Sequence, residues 1–581
     1  MDRLFVLLIL TGAMLANASH GQGAIRVISG VAPVDTAQAQ HFTGVARVGG
    51  HFQAASPART YGATVTFEPG TRTHWHVHTL GQILVVTLIF THKCRGISRR
   101  ILKITFYPSE AIKEEPQMDT ENPELDELSA WLVHELHDVA LGDKRLERRL
   151  LTTGAKLAAR PSVSINQACA DWADTKAAYR LFANAKTTAE KIRAPHYRRT
   201  RERARGHKRL FAIQDTTYLN YTHHPSTKGL GPIGTAQQKL SGMILHTSLL
   251  MTEQGLPLGL ASQEIWVRPP KMHQRTAAAR RKLPTEAKES AKWLKALRQS
   301  RAVVPPEAQL ITIGDSESDL FALFDLARAL GTELLVRAAQ NRSVCEPEVG
   351  RLWEVMGRQA VCGQLQVVAS ARKGKPKRQA LVTVRFAPVS LKAPRHLRKT
   401  MGDMPLYAVL VQEEAPPPDS TPLCWLLLTT VPVHSFAEAV ERIRWYGLRW
   451  QIEVYHKVLK SGCGVEKAQL ASVERLLPYL ALLSIIAWRL FWMTLLARHA
   501  PEAPCTLVLA AHEWRALYAF HHRTHQLPAR PPTVGQVVLW IARLGGFLAR
   551  KNDGPPGVAV LWRGWQRLSD IAAAWLAFHP S

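Results

Sequence analysis

The chain has 581 residues, enough for roughly three or four domains, and its 74 Lys and Arg against 46 Asp and Glu give a net charge of +28. That excess, with a pI of about 10.1, favours a polyanionic partner, nucleic acid before anionic membrane. Seven scattered cysteines without a CxxC pair exclude a disulfide frame or a cysteine-based zinc site, and fit a reducing compartment.

Residues 1–18, MDRLFVLLILTGAMLANA, read as a secretory signal: Arg3, an apolar run, then Ala16-Asn17-Ala18 as the cleavage site. The Gly, Thr and Val-rich stretch that follows alternates like strands and ends in PGTRTHWHVHTLGQILVVT. Its PGTRTHWHVH resembles the first metal motif of small cupin barrels, with His74, His76 and His78 alternating onto one strand face. Gln82 stands roughly where that motif keeps a Glu, and the second cupin motif does not follow. Residues 19–92 are therefore expected to be a truncated cupin-like fragment without activity of its own. A barrel stopped halfway leaves open sheet edges. Residues 93–122 read as a junction, within which Met118 is an alternative start.

From 123 to 208 the pattern is helical. Lys144, Arg145, Arg148 and Arg149 cluster on one helix, and Arg198 to Arg209 form a second basic run. Beside the overall charge, both are expected to contact phosphate rather than form solvated faces. The pattern of 209–342 then turns to strands. RLFAIQDTTYLNYT is a short apolar strand delivering Asp215 at its end, and two further strands flank the turn EQGLP. A helix over AKESAKWLKALRQS follows, then a buried strand ending at Asp315, a helix, and the strand ELLVRAA. This order predicts a sheet with helices packed on it. Residues 343–420 read as a Lys and Arg-rich β insertion, after which the fold resumes over 421–463 with CWLLLTTV and a helix. Within the helical stretch 464–581, LLPYLALLSIIAWRLFWMTLLA (476–497) is long enough to span a membrane. Pro478 and a central Arg489 instead predict a buried helix.

The helix WYGLRWQIEVYHKVLKSG (445–462) has an unusual polar face. At about 100° per residue, Tyr446, Arg449, Glu453, Lys457 and Lys460 fall within a sector about 80° wide, opposite Leu448, Ile452 and Tyr455. Such a face is either a solvated salt-bridge stripe or a carboxylate set among cations beside a metal ion and a phosphate. An isolated Asp after a strand is usually a cap or turn residue. Asp215, Asp315 and Glu453 together make three carboxylates able to hold two divalent ions about 4 Å apart, with Mg²⁺ or Mn²⁺ suited to an all-oxygen site. Asp319 is a substitute for the second carboxylate, though its setting favours capping.

At these residues the chain resembles the DDE transposases of the insertion-sequence-four family, most closely the Tn-five type. The family's Tyr-x2-Arg-x3-Glu-x6-Lys signature stands as Tyr446, Arg449, Glu453 and Lys460, while QDTTYLNY and GDSESD match its two aspartate motifs. PLCWLLLTT places Trp425 where the family keeps a tryptophan that receives a flipped base. LGDKRLERRL, AAYRLFAN, QEIWVRP and IARLGGFL…LWRGW continue the match over about 123–575.

The resemblance implies an α/β fold: an RNase H-like (retroviral-integrase-like) core with a β-rich insertion, flanked by an N-terminal helical domain that grips DNA ends and a C-terminal helical dimerisation region. It also implies cut-and-paste transposition of double-stranded DNA by a homodimer, through end nicking, hairpin formation and resolution, and strand transfer. Asp215, Asp315 and Glu453 would ligate two Mg²⁺ (or Mn²⁺) ions. Arg449, Lys457, Lys460 and Tyr446 would hold phosphates, Trp425 and Trp450 would stack on an extruded base, and Arg337 and Arg342 would touch DNA along with Lys144, Arg145 and Arg148. The expected place of action is the cytoplasm, on the nucleoid. Two other readings stand beside this one: a DNA-binding, dimerising derivative impaired by its N-terminal extension, and a secreted metal-binding cupin.

Overall fold

The computed structural model describes residues 130–579, except 170, 271–287, 346–349, 370–377, 396–397, 399–400 and 418–421, and upstream of 130 it describes β-strands only. The chain divides into two units, Met1–Pro116 and Gln117–Ser581. In the first, seven strands are traced: β1 (Phe5–Ala13), β2 (Arg26–Val27), β3 (Phe42–Thr43), β4 (Ala46–Gln53), β5 (Arg59–Phe67), β6 (Arg72–Thr73) and β7 (Gln82–Leu88). The Val, Leu and Ile run of the signal-like segment has high strand propensity. It forms β1, antiparallel to both β5 and β7 in a sheet of order β2-β4-β5-β1-β7. His74, His76 and His78, the 93–122 junction and Met118 lie outside the described residues.

The second unit opens with five helices: α1 (Ala130–Leu136), α2 (Lys144–Ala159), α3 (Ile165–Ala168), α4 (Trp172–Phe182) and α5 (Ala189–Ala204). Side-chain caps set their starts. Asp143 accepts the Arg145 N–H at 3.0 Å, Asp171 accepts that of Asp174 at 2.8 Å, and Ser164 forms a capping box with Gln167.

A single sheet follows. β8 (Arg209–Asn220) has β9 (Gly231–Ile233) and β10 (Leu240–Thr252) after it, then β11 (Pro257–Trp266), helix α6 (Ala291–Val303), β12 (Gln309–Gly314), helix α7 (Phe321–Ala329) and β13 (Glu333–Arg337). The order runs β11-β10-β8-β12-β13, with β10 antiparallel to its neighbours and β12 parallel to β8 and β13. The 343–420 segment supplies α8 (Leu352–Arg358), β14 (Gly363–Ala369), β15 (Arg378–Leu391) and β16 (Met404–Glu413). This stretch, read from sequence as a β-rich insertion, lies between β13 and β17 (Cys424–Thr429) along the chain. β17 pairs with both β13 and β16, so β16, β15 and β14 prolong the same sheet to ten strands. Alternation on these strands explains the continuity. Val382, Val384, Val409, Val411 and Leu427 join the core on one face, while Leu410, Leu426 and Leu428 serve the other.

The remaining helices are α9 (Phe436–Gly447), α10 (Trp450–Lys457), α11 (Val473–His499), α12 (Ala511–His522), α13 (Val534–Leu544) and α14 (Val558–Phe578). As its apolar pattern predicts, α11 is a core helix: 89% of its most apolar window is buried inside the protein. It lies against α5, β11, α13 and α14. Arg489 donates to the Leu507 carbonyl at 2.9 Å and lies 4.4 Å from the Trp492 ring, which removes the cost of a buried charge.

A buried ionic knot joins these parts. Glu135 of α1, 3% exposed, accepts two hydrogen bonds from Arg203 of α5 (2.8 and 2.9 Å) and meets His196 Nδ1 at 2.5 Å. His196 Nε2 accepts the Leu260 N–H of β11 at 2.9 Å, so the ring is the neutral Nδ1–H tautomer. The Arg203 guanidinium lies 4.3 Å from the Trp488 ring of α11. Arg203 and His196 hold the Glu135 carboxyl below its usual range against the opposing effect of burial, and burial pulls His196 down.

This knot corrects the expectation for the second basic run. Arg198 pairs with Asp138 at 2.6 Å, Arg199 with Glu202 at 2.5 Å, Arg203 with Glu135 and Arg209 with Glu253 at 3.0 Å, and Arg201 donates to the Ala302 carbonyl. The run fastens α5 to α1 and the sheet, and most of its charge is answered within the protein. All six described cysteines are free thiols, as expected.

Glu135→Ala removes the carboxylate shared by half-buried Arg203 and buried His196 and is expected to cost about 1–3 kcal/mol, seen as a lowered Tm. Both acid groups of the knot have depressed values in the fold. Their stabilisation is present above their ordinary values and is lost as pH falls, first below the usual histidine range and then through the carboxylate range. A melt series from pH 8 to 4 should therefore slope downward toward acid, and less steeply in Glu135→Gln.

Candidate active site

Asp215 and Asp315 are brought together by strand register. β8 and β12 run parallel with Ile213 opposite Ile313, and each aspartate stands two residues further on. Neighbouring strands are about 4.8 Å apart, so the two carboxylates share one level. Asp215 was expected at a strand end. β8 instead continues to Asn220, and Asp215 sits mid-strand opposite Thr247 of β10. Antiparallel pairing with the long β10 carries the strand past the acid. Asp315 follows β12 as expected and caps the turn Ser316–Ser318, accepting the Glu317 N–H at 2.9 Å. Gly314 before it has no alternative, since an added Cβ would meet the Ser318 hydroxyl at 2.4 Å.

The polar helix is not one continuous α-helix. α9 ends at Gly447, four i→i−3 bonds mark the join (Leu448 to Trp445, Arg449 to Tyr446, Gln451 to Leu448, Ile452 to Arg449), α10 begins at Trp450, and a π turn closes Val458–Gly462. Gly447, with its low helix propensity, stands at the break. The apolar side is nevertheless as expected: Ile452 and Tyr455 are fully buried. Arg449 donates to Glu453 at 2.6 Å, and this one guanidinium lies within electrostatic reach of Asp215 and Asp315 as well.

Burial and the nearby Asp315 and Glu453 charges push the Asp215 carboxyl up to about 6, against the pull of Arg449 and the Thr216 backbone. Asp315 is raised as well, mainly by burial and by Glu317. These shifts tie the two aspartates and Glu453 into one electrostatic neighbourhood. Among the described residues no three His, Cys, Asp or Glu side chains form a ready-made metal-binding group; Glu453 is engaged by Arg449. The donor chemistry suits a hard divalent cation: three carboxylates, two of them raised by burial and like charge.

The other expected residues divide. Burial raises the Tyr446 phenol, and Arg449, Arg337 and Asp315 all act on it. Arg337 is exposed and donates to the Cys424 carbonyl at 3.2 Å, next to half-buried Trp425 on β17. Trp450 is 56% exposed at the start of α10, and Lys457 is exposed on the same helix. Lys460, in the π turn, donates to the Tyr218 carbonyl at 2.9 Å and pairs with Glu466 at 3.4 Å, fastening the end of β8. Lys144, Arg145 and Arg148 lie exposed on α2, with Lys144 near Glu147 at 3.1 Å.

Arg342 departs from expectation. Its guanidinium is bound to Asp319 at 2.7 and 2.8 Å, and Asp319 also accepts the Ala339 and Gln340 N–H groups. Asp319 is thus a buried loop clamp, neither a ligand candidate nor a cap of α7, and Arg342 is its counter-ion. Sequence reasoning passed over His456, buried one turn beyond Glu453 with Nδ1 3.8 Å from Asp215 Oδ2. The i, i+3 spacing to Glu453 was the available signal. Lys292 of α6, paired with Glu317 at 3.1 Å and acting on Asp315, gave no motif signal.

Comparison with known proteins follows the same outline. A family model described as "Transposase DNA-binding" matches residues 128–187, and one described as "Transposase Tn5 dimerisation domain" matches residues 485–575. Two separate stretches of the chain are thus similar to transposase domains, one to a DNA-binding domain and one to the Tn5 dimerisation domain. The first covers α1 to α4, and the second covers the C-terminal part of α11 through most of α14. The strands and helix bearing the three acids lie between the two matched stretches. A separate similarity, 54% identity over 59 residues, is to an (R)-mandelonitrile lyase of Granulicella tundricola. It covers 10% of this chain and 41% of that enzyme's length, and it gives weak support to the cupin-like fragment. By their descriptions, the first of the two transposase models is of a domain that binds DNA and the second of a domain that dimerises.

Arg342→Ala is expected to lose about 3 kcal/mol of stability by leaving the buried Asp319 without its partner. Its DNA affinity, measured by gel shift below the melting range, should stay near wild type, whereas Arg337→Ala should weaken binding without moving Tm.

Proposed function

We propose that the protein is a DDE transposase that cuts and joins double-stranded DNA at one acidic site on an RNase H-like core. The observation that carries this reading is the parallel register of β8 and β12, which sets Asp215 beside Asp315 with Glu453 in the same field. The order β11-β10-β8-β12-β13, an antiparallel meander followed by two strands parallel to the first, supports the core assignment.

Asp215, Asp315 and Glu453 would hold two Mg²⁺ or Mn²⁺ ions, which when bound activate the attacking water or 3′-hydroxyl and steady the leaving oxygen. The chain's own residues supply the rest. Arg449, now on Glu453, is placed to exchange that carboxylate for a DNA phosphate, freeing the acid as the substrate arrives. Tyr446 and Lys457 steady neighbouring phosphates, and Lys460 keeps the end of β8 in register while offering its remaining N–H donors. Trp450 presents an open aromatic face, and Trp425 follows Cys424, whose carbonyl Arg337 holds. Base stacking on such rings is worth on the order of 1–3 kcal/mol, comparable to the unstacking it offsets. End nicking, hairpin formation and resolution, and strand transfer are all in-line phosphoryl displacements, so one site serves each. The nucleoid is the fitting place of action.

Glu453→Ala is expected to abolish nicking of end DNA (taken from inverted repeats flanking the gene) in Mg²⁺, with gel-shift affinity nearly unchanged; continued cleavage rejects the site. Wild-type protein that shifts such DNA but never nicks it would favour the impaired DNA-binding derivative. Trp425→Ala should slow hairpin formation more than first-strand nicking, by a factor matching about 1–3 kcal/mol. Equal slowing of both steps argues against a base-stacking role.

A further inference from the structure

His456 stands three residues after Glu453 on α10, on the side of the helix that meets β8. It is 5% exposed, and its Nδ1 lies 3.8 Å from Asp215 Oδ2. Among the described residues its buried Nε2 has no hydrogen-bond partner. Thr247, the cross-strand neighbour of Asp215, likewise keeps a buried Oγ1 without one. A buried polar atom left unpaired costs about 1–3 kcal/mol, so packing alone would favour leucine at 456. The helix turn itself is anchored independently: the adjacent Tyr455 hydroxyl donates to the Ser484 carbonyl of α11 at 3.2 Å. Nδ1 approaches the Asp215 carboxylate to 3.8 Å, a non-bonded distance that a small rotation of either side chain closes to a hydrogen bond.

We infer that His456 is a positioning residue, whose Nδ1–H backs the Oδ2 of Asp215 and fixes the direction in which the opposite oxygen faces. A carboxylate on a strand rotates about its terminal torsion over a broad range, and partners of this kind behind a ligating group set metal affinity. The Thr216 backbone already acts on the Asp215 carboxyl, and a hydrogen bond closed across the 3.8 Å from His456 would limit its rotation from a second direction. The inference rests on the reading of Asp215 as a metal-bearing acid, and the experiment separates the two.

Binding of Mn²⁺ alone to the full chain, followed by the paramagnetic resonance of the free ion, is compared in wild type, Asp215→Ala, His456→Leu and His456→Gln. Glutamine keeps an N–H donor of similar reach, whereas leucine keeps only the volume. The expected result is affinity at least about 10-fold weaker in His456→Leu, near wild type in His456→Gln, and lost in Asp215→Ala. Nicking activity should follow the same order, with end-DNA binding unchanged in both His456 variants. Wild-type affinity in His456→Leu beside a loss in Asp215→Ala overturns the positioning role alone. Equal weakening by leucine and glutamine, with a lowered Tm, overturns it in favour of packing. Unaltered Mn²⁺ binding in Asp215→Ala overturns the metal reading beneath it.

Discussion

The parallel pairing of β8 with β12 fixes Ile213 opposite Ile313, and with it the level at which two distant acids enter the site. A slip of one residue would turn every side chain of the strand to the other face, sending Asp215 into the apolar core beside α6 and Ile213 away from α10. The register is held by apolar contacts on both faces. Phe211, Ile213, Ile311 and Ile313 belong to the core on the α10 side, and Leu210, Ala212 and Leu310 to the one behind. The helix that brings Glu453 depends on the same face, because Ile452 and Tyr455 can bury only where the sheet presents apolar side chains. The chemistry is thus positioned by hydrophobic packing, while the acids themselves oppose assembly through burial and like charge.

Arg449 answers that opposition. One guanidinium on a helix turn meets Glu453 directly and acts on both aspartates, so the cluster is partly neutralised within the chain itself. The wider charge balance follows the same division. Much of the 198–209 run is consumed in ion pairs and carbonyl contacts, and Arg342 is spent on Asp319. The exposed cations on α2, Arg337 and Lys457 remain on the surface, where a polyanion can reach them. A net charge of +28 therefore overstates the basic surface, because part of it is mortar between elements.

Much of this was legible in the sequence. Apolar runs leading into Gln214-Asp215 and Gly314-Asp315, the central helix with a buried arginine, and the polar stripe around Glu453 are local patterns, and they name the three acids and the apolar side of their helix. What escaped reading depended on partners far along the chain. Nothing local to Asp215 says that β10 will extend its strand to Asn220, and nothing near Arg203 or Arg342 announces a buried carboxylate waiting for each. The insertion looked separate because its strands follow a composition change, yet β17 joins them edgewise to β13. The helix break at Gly447 was masked by a continuous periodicity on both sides.

The long helix α11 carries a consequence of its own. It is made after α1 to α10, yet it fills the space between α5, β11 and the last helices. Synthesis proceeds from the N-terminus, so the preceding elements await their inner wall until residues 473–499 have left the ribosome. A message broken before that point would yield a chain whose largest apolar faces are uncovered, a product fit for proteolysis rather than for partial work. Completion of the polypeptide is thereby a condition for a stable particle, and the protein's own architecture screens out its truncated copies.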